Sequence, residues 1–238
     1  MDKVTFSKDN IDSLLAELAK DYKKKSGKHI PAEIIMVGGA AIVSQYGFRE
    51  STTDIDAIIL ASSSMDEAIN TVGNRNNLPM GWINQDFKKT DSYSKKIREY
   101  SKYYRTFSNI LEVRVLPPEY IAAMKLASLR LYKYDISDVI GIIMSEKISR
   151  EKIEKAVSDL YGDIKNINQS EKAVQLLDNI YKTENLEELY QETRVDEINN
   201  KAVLKSIQEN NPESLKKDSI ANILEAAKRK KEEQSESK

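Results

Sequence analysis

The chain has 238 residues, 40% of them hydrophobic and 32% charged, with a formal net charge of -1; it can bury a sizeable core but carries no global field to gather nucleic acid or an anionic membrane. The absence of cysteine and the single histidine, His29, exclude disulfides and thiolate metal sites and leave a serine-type triad or a histidine-rich zinc centre without its parts. Chemistry therefore falls to carboxylates.

Ile11, Leu14, Leu15, Leu18 and Tyr22 recur at helical spacing between caps at Ser7 to Asn10 and a stop at Gly27, which predicts an amphipathic packing helix over about 10–25. His29 follows in a polar connection and reads as a surface residue. The apolar run 34–37 predicts a buried strand ending at Gly38 and Gly39, and residues 40–46 a short helix. Backbone amides at such a helix start suit a phosphate, although a plain tight turn would produce the same pair of glycines.

Arg49, Ser51, Thr52 and Thr53 crowd ahead of Asp54, and Ile55 to Leu60 complete a strand headed by Asp54 and Asp56. Residues two apart on a strand share a face, so these carboxylates repel each other unless a cation lies between them. A solvent-facing strand end is the alternative for an isolated Asp-x-Asp.

Ser64 and Glu67 form a capping box that opens a helix through about residue 76. The stretch 78–87 is turn-rich, with Trp82 as its anchor. Residues 86–107 interleave seven Lys and Arg with Tyr93, Tyr100, Tyr103, Tyr104 and Phe107. Such a mixture fits either an RNA-binding surface or an amphipathic helix with solvated lysines.

The alternation in ILEVRVL, residues 110–116, predicts a strand with Glu112 and Arg114 on one face. If it neighbours the strand after Asp54, Glu112 completes a three-carboxylate cluster; otherwise it pairs with a base on a solvated face. Pro117 stops that strand, and Pro118 suits the first turn of a helix expected to run to about residue 133, carrying Lys125 and Arg130. Asp135 caps a further apolar helix with Asp138 in its first turn, where a negative charge is favoured. Beyond residue 149, helices are expected near 149–161, 170–181, 184–191 and 200–208, and KRKKEEQSESK ends the chain as a charged, low-complexity tail.

In combination, VGGAAI, RESTTDID and MKLASLRLYKYDISD resemble the polymerase beta-like nucleotidyltransferase superfamily, and within it the bacterial branch of abortive-infection type IV toxins (AbiEii-like) and related minimal enzymes. The resemblance covers roughly residues 30–145 and rests on several motifs in the right order. It implies an α/β (α+β) nucleotidyltransferase fold with a small mixed sheet flanked by helices over 1–148, a C-terminal helical region over 149–228 and a disordered tail over 229–238.

The same resemblance makes Asp54, Asp56 and Glu112 catalytic ligands of Mg²⁺ or Mn²⁺. Gly38, Gly39 and Thr53 become the nucleotide side of the site, and Lys125 a triphosphate contact. The superfamily more often has Asp where this chain has Glu112. The implied reaction moves a nucleoside monophosphate from an NTP to a hydroxyl of RNA, for example a tRNA end, or of a protein, with residues 86–107 favouring RNA. A protein antitoxin is the expected partner of a toxin of this kind. The alternatives are an inactive module that binds a nucleotide or a partner protein, and a small-molecule nucleotidyltransferase, whose cationic acceptor would call for an acidic pocket. No stretch approaches membrane-spanning length, and MDKVTFSKDN lacks the apolar core of a secretory leader. The expected setting is the cytoplasm.

Overall fold

The computed structural model describes residues 4–27, 29–210, and Ile220, Ile223, Leu224 and Ala226; the charged end 229–238, expected to be a disordered tail, lies outside the described residues. Helix α1 (Lys8–Ser26) starts where Ser7 donates its backbone N–H to Asn10 Oδ1 at 2.9 Å, and it buries the predicted Ile11, Leu14, Leu15, Leu18 and Tyr22. Strand β1 (Ala32–Met36) runs straight into α2 (Gly38–Gln45), which begins at the glycine pair itself. Strand β2 (Ile55–Leu60) and helix α3 (Ser64–Arg75) follow. Helix α3 is entered without a side-chain cap from Ser63, and Glu67 turns instead to Lys25 on α1.

The turn-rich stretch after α3 holds a short strand that periodicity could not reveal, β3 (Ile83–Asn84). Trp82 anchors it as expected, 2% exposed, with its ring N–H donating to the carbonyl of Ile69 at 3.1 Å. Residues 86–107 form neither one helix nor one surface. They divide into a 3₁₀ turn (Asp86–Lys89), the single-turn α4 (Ile97–Tyr100) and strand β4 (Lys102–Phe107), which pairs antiparallel with β5 (Leu111–Val115).

The five strands make one mixed sheet in the order β3-β2-β1-β5-β4. Strand β1 is its middle member, antiparallel to β2 and parallel to β5. In an antiparallel pair the end of one strand lies beside the start of the next. Accordingly the N–H of Val37, just past β1, donates to the carbonyl of Asp56 at 2.9 Å. The glycine turn and the head of β2 are brought together by that ladder.

Helix α5 (Pro118–Ser128) is shorter than expected. Leu129 adopts a left-handed conformation (φ 39°), and the chain turns until Tyr134, also left-handed (φ 59°), before α6 (Asp135–Glu146) begins. The cause is Asp135, whose carboxylate accepts the backbone N–H of Arg130 and the hydroxyl of Ser128 at 3.0 and 2.9 Å. Those bonds favour the turn over further residues of helix.

Helices α7 (Arg150–Tyr161) and α8 (Ser170–Lys182) match expectation. The two short helices expected after them are one, α9 (Leu186–Asn210). Tyr190 donates its hydroxyl to the carbonyl of Phe48, and Asn200 donates to the carbonyl of Leu131 at 2.9 Å. Both halves of α9 are thereby tied to the sheet-bearing part of the chain, and no breaker separates them. Helix α5 packs against α2, α6, α7 and α8, and α9 lies on α6. Among the described residues, no helix is long and apolar enough to cross a membrane.

Candidate active site

A cavity of about 400 Å³ opens where the end of β1 meets the head of β2. Gly38, Gly39, Thr53, Asp54, Asp56 and Lys125, six of the seven residues expected at a site, line it. Gly38 takes a φ of 58°, in the left-handed region that favours glycine, and a Cβ there would stand 3.5 Å from Asp56 Oδ2. At Gly39 a Cβ would meet Thr52 Oγ1 at 2.6 Å and Arg49 Nη2 at 2.9 Å. Gly38 is favoured by its backbone angle, and Gly39 by the close approach of Thr52 and Arg49.

Asp54 lies in the bend just before β2, and Asp56 is the second residue of the strand. Burial, and then the charge of Asp54, push the Asp56 carboxyl up to about 6, while Lys125, Arg130 and Lys133 pull the other way. The pair is thus short of positive charge although cations stand nearby. That deficit suits a divalent cation. No group of three or more Asp, Glu or His side chains that could hold a metal occurs among the described residues. Two carboxylates completed by phosphate oxygens and water are the usual protein share for Mg²⁺, so the donor set fits that ion.

Glu112 is the expected residue that the fold does not bring to the site. Its strand neighbours β1 rather than β2, and Glu112 is in register with Glu33, whereas the carbonyl of Asp56 meets Val37 beyond the other end of β1. The Glu112 side chain is 41% exposed and pairs with Arg114 at 2.9 Å. Glu112 therefore does not complete a three-carboxylate cluster with Asp54 and Asp56.

Lys125 reaches the cavity floor only 7% exposed, with its Nζ 2.9 Å from both Asp135 and Asp138. Burial opposes its charge, but the two aspartates outweigh that effect and hold its pKa above the ordinary lysine value. Arg49 joins Asp138 at 2.7 Å, and Arg130 joins Asp135 at 2.8 Å. Burial would raise the pKa of Asp135, yet Lys125 and Arg130 drive it well below the carboxylate range. The two aspartates of YDISD, which helix capping alone would account for, are in fact the buried anchors of three cavity cations. Glu197 of α9 takes over the capping of α6, accepting from the N–H of Ile136 at 2.9 Å and from the hydroxyl of Ser137.

Asn84, Asp86, Lys133, Tyr134, Arg194 and Lys201 also line the cavity. Their individual sequence signals are weak, since they come from a hidden two-residue strand, an irregular turn and a helix far along the chain. The basic, aromatic stretch 86–107 is divided between places. Asp86, Phe87, Thr90 and Ser92 reach the cavity, whereas Arg98 pairs with Glu33 of β1 and Arg105 with Asp12 of α1. Tyr100 stacks on Tyr120 with 4.6 Å between ring centroids, and Tyr104 donates to Asp12.

Residues 13–191 match the model of a family described as nucleotidyltransferase of unknown function (DUF6036). No curated protein and no solved structure matches the chain.

Proposed function

We propose, for a chain that belongs to this family of nucleotidyltransferases, that the cavity transfers a nucleoside monophosphate from an NTP to a hydroxyl of RNA. The observation that carries the proposal is one cavity holding the Asp54–Asp56 pair, the Gly38–Gly39 turn and six cationic side chains, Arg49, Lys125, Arg130, Lys133, Arg194 and Lys201. A polyphosphate with its metal ion is the ligand whose charges complement such a lining.

Asp54 and Asp56 hold Mg²⁺ or Mn²⁺, which when bound neutralises phosphate charge and steadies the leaving pyrophosphate. The backbone at the start of α2 receives phosphate oxygens, aided by the Thr53 hydroxyl. Lys125 acts as a buried charge that sets the potential of the cavity floor under the triphosphate. The acceptor oxygen attacks the α-phosphorus, the bond to the bridging oxygen breaks and pyrophosphate departs. Asp86, the further carboxylate in the lining, takes the hydroxyl proton in place of Glu112. An RNA acceptor is supported by the excess of cations at the cavity, which disfavours the cationic sugar of a small-molecule enzyme.

RESTTDID and MKLASLRLYKYDISD support assignment to the AbiEii-like branch, and with it a role as a toxin held by a protein antitoxin in the cytoplasm. A second reading, a nucleotide-binding module without turnover, is favoured by one observation: Glu112 stands away from the aspartate pair.

Incubation with each labelled NTP, Mg²⁺ or Mn²⁺ and total RNA separates the two. Label appears in RNA with the wild type and not with Asp54→Asn or Asp56→Asn. Absence of transfer with every NTP, together with calorimetric NTP binding, would establish the module instead.

A further inference from the structure

Helix α9 brings two cations to the cavity from beyond residue 191, where the family match ends. Arg194 and Lys201 lie seven residues apart, about two helical turns, so they share a face of α9. Glu197 lies between them on that face and fixes it by capping α6.

The two cations gather around Tyr134. The guanidinium carbon of Arg194 is 3.9 Å from the ring centroid, and Lys201 Nζ is 5.5 Å from it. Arg49, which also touches the glycine turn, approaches the same ring at 5.4 Å. A continuous line of positive charge thus leads from Gly39 through Arg49 to α9.

The members of this line are held differently. Arg49, Lys125 and Arg130 are ion-paired to Asp135 and Asp138. Arg194 rests instead on an aromatic face, which holds a cation without neutralising it. Its Nη1 is buried and has no hydrogen-bond partner among the described residues. A donor left in that state costs free energy that an incoming acceptor recovers. Arginine suits the position because its planar group can lie on a ring while its edge presents two N–H groups to phosphate oxygens.

On the nucleotide reading above, we propose that Arg194 and Lys201, arrayed on Tyr134, form a phosphate subsite that receives the pyrophosphate end of the NTP.

The test is calorimetry of the full chain with inorganic tripolyphosphate in EDTA, so that neither metal nor transfer is needed. Arg194→Met keeps an apolar stem on the ring, Lys201→Met removes the second charge, and Lys205→Met removes an equal charge from an exposed position of the same helix. Arg194→Met and Lys201→Met are each expected to weaken binding about tenfold, the size of one charge-assisted hydrogen bond, while Lys205→Met stays at the wild-type value.

Equal binding by all the proteins overturns the proposal, and so does equal weakening by Lys205→Met. A 5′-hydroxyl oligoribonucleotide provides the second arm. If Arg194→Met and Lys201→Met lose the oligonucleotide but keep tripolyphosphate, the subsite belongs to the acceptor and the assignment to the nucleotide is lost. Tripolyphosphate binding that depends on Arg194 without any label transfer would sink the transfer reaction and leave the subsite standing. The reverse pattern would sink the subsite alone.

Discussion

Asp56 and Glu112 are both carboxylates on strands of one sheet, and their surroundings differ in a way that decides their uses. Glu112 sits on β5, 41% exposed, answered by Arg114 two residues on. An exposed pair of that kind contributes little. Asp56 heads β2 next to Asp54, and burial and that like charge raise its pKa to about 6. A site is marked here by a charge that its own strand leaves uncompensated, and a mere count of acids on strands does not find it.

The largest expected effect breaks the comparison on the Asp56 side. Asp54→Asn and Asp56→Asn should lower labelled-NMP transfer on the order of a hundredfold or more, the size of losing one strong electrostatic stabiliser. Asp138→Ala tests whether the cavity cations are held as described, because it leaves Lys125 and Arg49 without one shared anchor. Urea unfolding should show a loss of about 3–5 kcal/mol, typical of a broken buried pair.

Glu197 comes next. Burial raises its pKa from 4.5 to about 7, with Asp138 adding to the rise and the bonds from Ile136 and Ser137 opposing it. The folded state therefore holds this proton more tightly than the unfolded chain. Its contribution is fully present below pH 4.5 and is lost as pH rises through about 7, by at most about 3 kcal/mol. Glu197→Gln should flatten the stability profile across that window in urea titrations at successive pH values.

Gly39→Ala should cost about 1–3 kcal/mol, because the new methyl meets Thr52 and Arg49 at sub-van der Waals distance. Smallest of all is Glu112→Gln, with transfer unchanged and stability altered by less than about 1 kcal/mol. A large loss of transfer in that variant would restore Glu112 to the chemistry and overturn the contrast with Asp56.

Residues close in sequence made much of the architecture readable. The glycine turn, the head of β2 and helices α1, α3, α7 and α8 each follow from local spacing, and the family resemblance joined the first two into one site. Strand order could not be read in this way. The alternation in LEVRV is the same whether β5 lies beside β1 or β2, and only the first arrangement occurs. Likewise YDISD fits a capped helix start so well that its buried ion pairs left no separate mark. Arg194 and Lys201 were invisible as site residues because α9 reaches the cavity only through contacts such as Tyr190 with Phe48 and Glu197 with α6.

The pairing of β1 with both β2 and β5 also orders events in time. Residues 32–36 meet 57–60 across a short separation but meet 111–115 only after a long one. Closing the longer loop costs more chain entropy and comes later. A chain emerging from synthesis thus forms its acidic hairpin first, gains the Asp135–Asp138 anchors next and receives the cations of α9 last. Until then the two aspartates at the head of β2 lie in a cavity that still lacks Arg194 and Lys201, two of its six cations.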